Sequence, residues 1–360
     1  MDAILKDTIE RCPAPICIGL HQIDSLSKPY VVAEIGVNHN GDADQARRLI
    51  DAAHQAGADA AKFQVFSAGA LATAEAQAAE YQTRGAARSQ REMLEGLELA
   101  PDRFKQIAKH CESVGIAFLA TPFSVDDLQL VVDLGVPAIK LASTDINNFP
   151  LLDAALATNL PLLVSTGASR ASEIEETMSH IAGQDARERT ILLHCVSTYP
   201  TAPHDASLST IAHLRSRYTM WTGYSDHTES IEVAGLAVAC GARLLEKHFT
   251  LDRGLTGPDH AFSLTPEMFR QYVQTAETAW RMMGRPRRNV ADVEQEVRAL
   301  ARKSVVASRA IRRNERITAD MLTLKRPGNG LEPKHLAALV GRTARRDIAA
   351  DAQVVWDMVD

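Results

Sequence analysis

The chain lacks any run of about eighteen apolar residues, so no membrane-spanning helix is expected. It lacks an excess of positive charge. The formal net charge is -6, which argues against nucleic acid or an anionic membrane as the main partner. Basic groups that matter must then act locally, on an anionic ligand. Cysteines are few, five in all, at positions 12, 17, 111, 195 and 240. Their number is odd and none is paired as CxxC. That argues against a disulfide framework and a CxxC-type zinc site, and points to reduced thiols in the cytoplasm. The first residues, MDAILKDTIERCPAP, have neither a basic n-region nor an apolar h-region, so no secretion signal is expected. A glycine-rich dinucleotide loop is also missing: GVNHNG at 36–41 is not GxGxxG.

What is present is a soluble balance, 46% apolar and 23% charged, over 360 residues. Two domains are the expectation at that length. Eight short apolar runs begin at Tyr30, Ala60, Ile116, Ala138, Pro161, Thr190, Met220 and Ala242. Helical patterns separate most of them, near 43–57, 101–115, 147–158, 170–182 and 229–240, and a last one covers 265–283. Continuous apolar runs are what parallel strands buried on both faces look like. Eight such units over about 250 residues fit an α/β (β/α)8 TIM barrel. The Ala- and Gln-rich segment 67–100 is expected to be an insertion over the barrel mouth.

The barrel domain is therefore placed at 1–283 and a linker at 284–302, where GRPRR opens a composition shift and a helix fits 292–301. From 303 to 360 the pattern becomes short and β-rich, enough for a small second domain.

A barrel presents its chemistry at the C-terminal strand ends. Those ends offer Glu34, Lys62, Thr121, Lys140 with Ser143, Ser165 with Thr166, His194, Ser225-Asp226-His227 and Glu246-Lys247-His248. Burying charge costs several kcal/mol unless it is paired, so one charged or hydroxyl group per strand points to a wet, ligand-binding mouth. Lys62 and Lys140 supply point charges and Thr121, Ser143 and Ser165 supply hydrogen bonds, a set that suits a phosphate ester. The same lysines leave open a Schiff-base aldolase. His227 and His248 end neighbouring strands and can converge on a divalent ion. Two imidazoles completed by oxygen ligands suit Mn²⁺ or Mg²⁺ better than zinc.

Nine motifs, in order, run from AEIGVNHNGD at 33–42 through AGADAAKFQ at 56–64, FLATPFS at 118–124 and VSTG at 164–167. They continue with LLHCVSTYPT at 192–201, GYSDHT at 223–228, EKHFT at 246–250, GPDH at 257–260 and KRPGNG at 325–330. With these the chain resembles the N-acetylneuraminate (sialic acid) synthase family, which includes legionaminic and pseudaminic acid synthases. The resemblance covers about residue 25 to the C-terminus.

The resemblance implies a TIM barrel followed by an antifreeze-like (SAF, β-clip) domain. It implies a homodimer in which that domain of one subunit caps the other's barrel. It implies condensation of phosphoenolpyruvate with an N-acylated amino sugar and water, giving a sialic-acid-type nonulosonic acid and phosphate. N-acetylmannosamine is the default acceptor, and a 2,4-diacetamido hexose is the alternative. Position by position, Lys62, Thr121, Lys140, Ser143 and Ser165 match phosphoenolpyruvate contacts. His227 and His248 match metal ligands, for Mn²⁺ first and Mg²⁺ or Co²⁺ next. Glu34 matches the catalytic carboxylate, Tyr199 and Asp259 match sugar positions, and Arg326 matches an arginine that enters the partner's site. Attack of the enol phosphate C3 on the open-chain aldehyde, water addition at C2 and loss of phosphate by C–O cleavage would follow. Two positions depart from the common pattern: Ala142-Ser143-Thr144-Asp145 after the fourth strand, and Ser197 where asparagine is frequent. A non-catalytic carbohydrate- or ice-binding role would leave Glu34, both lysines and both histidines without a use.

Overall fold

A computed structural model describes residues 13–77, 89–284 and 289–360. The expected leader-free terminus, residues 78–88 of the insertion and the linker start at 285–288 lie outside the described residues. The chain divides into two compact units, Met1–Gly284 and Arg285–Asp360.

The first unit is a closed barrel of eight parallel strands: β3 (Tyr30–Gly36), β4 (Ala60–Val65), β5 (Ala117–Pro122), β6 (Ile139–Leu141), β7 (Leu162–Ser165), β8 (Thr190–Cys195), β9 (Trp221–Asp226) and β10 (Leu244–His248). The last pairs with the first, Leu244 opposite Tyr30 and His248 opposite Glu34. All eight match the apolar runs of the sequence.

Strand alternation sorts the side chains into two cores. Tyr30, Val32, Ala60, Leu119, Leu163, Ile191, Leu193, Trp221 and Leu244 fill the barrel interior. Val31, Ala33, Ile35, Phe63, Ile139, Val164, Leu192 and Leu245 point outward, beneath the helices. Gly223 has its place in the wall because a Cβ there would come within 2.5 Å of both the Leu193 side chain and the Leu244 carbonyl.

A hairpin unforeseen in the sequence, β1 (Ile16–Ile18) with β2 (His21–Ile23), adds Ile16, Ile18 and Ile23 to the interior cluster. It packs with Tyr30 and Trp221, residues at the starts of their strands, and the Trp221 indole donates to the Ala14 carbonyl at 2.7 Å. The hairpin thereby covers the N-terminal end of the barrel, opposite the polar strand ends.

The covering helices follow from amphipathic spacing. Ala43–Gln55 buries Ala46, Leu49, Ile50 and Ala53 along one stripe, and Asp42 caps its first turn by accepting from Asp44 N–H. Truncating the fully buried Leu49 to alanine should cost about 2–5 kcal/mol. Pro101–Val114 starts with proline at its first position and stops at Gly115, whose φ of 79° is left-handed. Helices Val125–Asp133, Phe149–Ala157, Ala171–Gly183, Ser209–Tyr218, Val233–Ala239 and Pro266–Met283 complete the alternation.

In the insertion, short helices Ala68–Leu71 and Gln90–Glu95 flank a small cluster of Val37, Phe66, Leu94 and Leu97. Val37 and Phe66 directly follow the C-terminal ends of β3 and β4, so the cluster sits at the mouth side.

The second unit opens with helix Gln295–Ala301 and pairs β11 (Ser304–Ala307) antiparallel with β12 (Leu322–Lys325). Isolated bridges and a core of Val305, Ile311, Ile317, Leu339, Ile348, Val354 and Val359 hold the rest. Among the described residues no helix is long and apolar enough to cross a membrane.

Candidate active site

Strand parity decides which polar groups enter the barrel mouth. Glu34, Lys62, Thr121, Lys140, Ser165, Ser225 and Glu246 have the parity of the interior core, and all are buried. His194 has the opposite parity. Its ring stacks on Tyr224 at 5.5 Å and its Nε2 bonds the Ala206 carbonyl at 2.8 Å. The sequence offered His194 as the group of the sixth strand. The structure corrects this: the inward residue of that strand end is Cys195. Thr166 likewise bonds back to the Leu193 carbonyl at 3.1 Å.

On the floor, Lys62 Nζ lies 2.7 Å from Glu34 Oε2 and 3.7 Å from Glu246 Oε2, and donates to Thr121 Oγ1 at 3.0 Å. Lys140 Nζ lies 3.8 Å from Glu246 Oε1 and donates to the Leu141 carbonyl at 3.1 Å. Ser225 donates to Glu246 at 2.9 Å. Glu246 thus stands between the two predicted lysines. The sequence offered it among the strand-end groups without a role, although its parity with His248 would have placed it in the mouth.

Each charge here is set by its buried neighbours. Burial pulls Lys62 down, but Glu246 and Glu34 outweigh it and hold the ammonium above its usual range. Burial wins at Lys140, which is depressed despite Glu246. Burial also wins at Glu34, which is raised in spite of Lys62. Glu246 is buried too, yet Lys140 and Lys62 keep it below the usual carboxylate range.

On the adjoining wall, the rings of His227 and His248 are 5.6 Å apart. Tyr199, at a cis Tyr199–Pro200 peptide, packs 4.1 Å from the His227 ring and 6.0 Å from that of His248. Asp259 Oδ2 lies 3.6 Å from His248 Nδ1. Burial, with the Glu34 charge adding, pushes the Asp259 carboxyl up to about 7. Gly36 leaves the space between them: a Cβ there would meet Glu34 Oε1 at 3.1 Å and Asp259 Oδ2 at 3.6 Å.

The predicted hydroxyls divide. Ser165 Oγ is buried without a hydrogen-bond partner. Ser143 Oγ is 3.1 Å from Ser197 Oγ, so the residue that replaces the frequent asparagine shares its hydroxyl with a predicted phosphate contact. Arg326 belongs to the second unit. It is exposed at a cis Arg326–Pro327 peptide, in a loop held by Ser304 Oγ on the Pro327 carbonyl at 2.7 Å and by Gly330 N–H on Ser304 Oγ at 2.8 Å.

The two histidines fit a divalent cation. His227 Nδ1–H donates to the Val196 carbonyl at 2.7 Å, so in the neutral ring Nε2 keeps the lone pair a metal needs. His248 Nδ1 is buried with no hydrogen-bond partner. Among the described residues no group of three or more His, Cys, Asp and Glu side chains forms a ready metal cage. The remaining ligands would have to be oxygens from water and substrate, which suits Mn²⁺ or Mg²⁺.

Comparison with known proteins gives the site a context. A model described as the NeuB family matches residues 49–288, and one described as the SAF domain matches 302–360. The chain is 36% identical to N,N'-diacetyllegionaminic acid synthase of Legionella pneumophila over 95% of its own length and 98% of the relative's. It is 30% identical to human N-acetylneuraminate-9-phosphate synthase over 98% and 97% of the two chains. The structure of N-acetylneuraminic acid (sialic acid) synthetase from Leptospira borgpetersenii superposes with a TM-score of 0.72 at 35% identity, covering 79% of this chain and 95% of that one.

Proposed function

The chain belongs to the NeuB family, and on that premise we propose that it condenses phosphoenolpyruvate with an N-acylated amino sugar and water, releasing phosphate and a nonulosonic acid. The observation that carries this reading is the buried floor on which Lys62 and Lys140 share Glu246 beside the His227–His248 wall.

Lys62 and Lys140 would hold the phosphate and carboxylate of the enol phosphate, and Thr121, Ser143 and Ser165 would donate to its oxygens. Ser165 supports this: its buried hydroxyl has no protein partner to give up. Glu34 and Asp259 would face the acceptor sugar across the gap left by Gly36, with Tyr199 as one wall. The Asp259 carboxyl, held near 7, can carry a proton and donate a hydrogen bond to a sugar hydroxyl, while Glu34 stays paired with Lys62. His227 and His248 would hold a divalent ion, Mn²⁺ first, Mg²⁺ or Co²⁺ next. That ion would supply Lewis acidity for the acceptor aldehyde. The hairpin cluster covers the N-terminal end of the barrel, and the cluster at Val37 and Phe66 sits on the mouth side.

For the acceptor, two N,N'-diacetyllegionaminic acid synthases at 36% and 35% identity put a 2,4-diacetamido hexose level with N-acetylmannosamine, since the sialic acid synthetase structure is also 35% identical. With the reaction we propose a homodimer in which each C-terminal unit covers the other's barrel and contributes Arg326. A cytoplasmic site of action suits the free thiols of Cys17, Cys111, Cys195 and Cys240.

One observation favours a second reading. The depressed Lys140 amine is the kind of lysine that forms imines, as in a class I aldolase. A single experiment separates the two. Phosphate release is measured with phosphoenolpyruvate, Mn²⁺ and a panel of N-acetylmannosamine, its 6-phosphate and 2,4-diacetamido hexoses. Release that depends on one sugar and disappears on chelation, or in His227→Ala and His248→Ala, is expected. Chelator-resistant turnover with borohydride trapping of a Lys140 adduct would replace the proposal by the aldolase.

A further inference from the structure

Directly behind the histidine wall lies a separate buried ion pair, on the outer face of the barrel. Lys247 Nζ is 2.9 Å from Asp226 Oδ2, and both side chains are at most 1% exposed. The two residues face each other in register across β9 and β10. Each directly precedes a histidine of the wall, Asp226 before His227 and Lys247 before His248. Parity sends the ion pair outward and the imidazoles inward.

The contacts converge on the residue after His227. Asp226 Oδ1 accepts from Thr228 N–H at 2.8 Å, and Lys247 Nζ donates to the Thr228 carbonyl. One ammonium therefore grips the backbone on the far side of His227 and the side chain on its near side, while its own backbone leads into His248. The His227 carbonyl is itself held by Thr201 N–H at 2.8 Å, and the Tyr272 ring stands 5.7 Å from Nζ.

Stability alone does not call for such a pair. A buried ion pair is often matched or bettered by apolar residues of the same shape, because desolvation offsets the Coulomb gain. What an apolar pair cannot supply is direction. We propose that Lys247 and Asp226 are positioning residues that lock the two ligand-bearing strand ends, and so set the mutual orientation of His227 and His248. This rests on the reading of that pair as a metal site. The pair touches no substrate and acts through the backbone at 226–228.

The test is the Mn²⁺ dissociation constant of the full chain, read from the electron paramagnetic resonance of free Mn²⁺, for wild type, Lys247→Met and His248→Gln. Supporting-shell losses typically weaken metal binding by about 10–100-fold. Lys247→Met should fall in that range, with the KM for phosphoenolpyruvate unmoved because Lys62 and Lys140 are untouched. A constant within about twofold of wild type, whatever the thermal stability, would overturn the proposal. Should Lys247→Met not fold, the uncharged double variant Asp226→Asn with Lys247→Met leaves no unpaired buried charge and carries the same expectation.

Should wild type not bind Mn²⁺, or His248→Gln bind as wild type does, the metal assignment falls. The ¹⁵N spectrum of the histidines then decides the positioning role by itself. Wild type should show His227 as a single Nδ1–H tautomer bonded to Val196. The variant should show tautomer mixing, and an unchanged His227 signal would refute the lock.

Discussion

Replacing Lys62 by methionine removes one ammonium from a floor that holds two buried carboxylates. Glu34 is 2.7 Å and Glu246 3.7 Å from Nζ, and the lysine side chain is 3% exposed. Methionine keeps most of the volume, so packing changes little. Electrostatics change a great deal, because breaking a buried pair by removing one partner costs about 3–5 kcal/mol. Lys140 compensates Glu246 but lies farther from Glu34. The burden therefore falls on Glu34, which is already raised by burial and escapes by taking up a proton. Urea unfolding followed by circular dichroism should show the variant less stable by that amount at pH 7. The deficit should shrink at pH 5.5, where the proton is easier to acquire, and adding Glu34→Gln should recover a large part of it. Phosphate release should fall by about 100-fold or more, the scale seen when one charge-stabilising donor is lost. A Lys62→Met protein within about 1 kcal/mol of wild type at pH 7 would refute the paired floor.

Other expectations concern the mouth. His39 is buried, its Nδ1 accepts from Gly41 N–H at 3.0 Å, and burial lowers it from 6.5 to about 4. The unfolded chain then binds the extra proton first, so stability is full above pH 6.5 and is lost as pH falls towards 4, by about 3 kcal/mol in all. His39→Gln should flatten that slope in urea midpoints measured between pH 7 and pH 4.5, and an unchanged slope would remove His39 as its source. Gly167→Ala should place a methyl 2.3 Å from Ser197 Oγ and 2.9 Å from Cys195 Sγ, pushing Ser197 off Ser143. If that pair faces the phosphate, the KM for phosphoenolpyruvate should rise roughly tenfold, the worth of a hydrogen bond to a charged group, with thermal stability lowered. A KM unmoved at measurable folding would place Ser197 outside the phosphate site.

Much of this arrangement was legible in the chain. The barrel strands announced themselves because parallel strands are apolar on both faces, so no alternation was needed to find them. Hairpin Ile16–Ile23 was not legible. Its three-residue strands are too short for a periodic signal, and their burial comes from Tyr30 and Trp221, contacts distant in sequence. Helix Ser209–Tyr218 passed unmarked because its N-terminus lacks a side-chain cap and only Ile211, Leu214 and Tyr218 are buried.

In the site, the residues at the strand ends were all visible, but which of them face the ligand was not. Alternation within each strand settles it. In β10 the inward series is Leu244, Glu246, His248, and the outward series is Leu245, Lys247. Applied to β8, the same rule sends Leu193 and Cys195 inward and His194 out, to Tyr224 and the Ala206 carbonyl. A histidine at a strand end is thus a ligand candidate only when its parity agrees with the barrel interior. His227 and His248 satisfy that condition and His194 does not. Parity therefore turns Glu246 into the barrel mouth, between Lys62 and Lys140, and Lys247 outward to Asp226, though the two are adjacent in sequence and both are buried and charged.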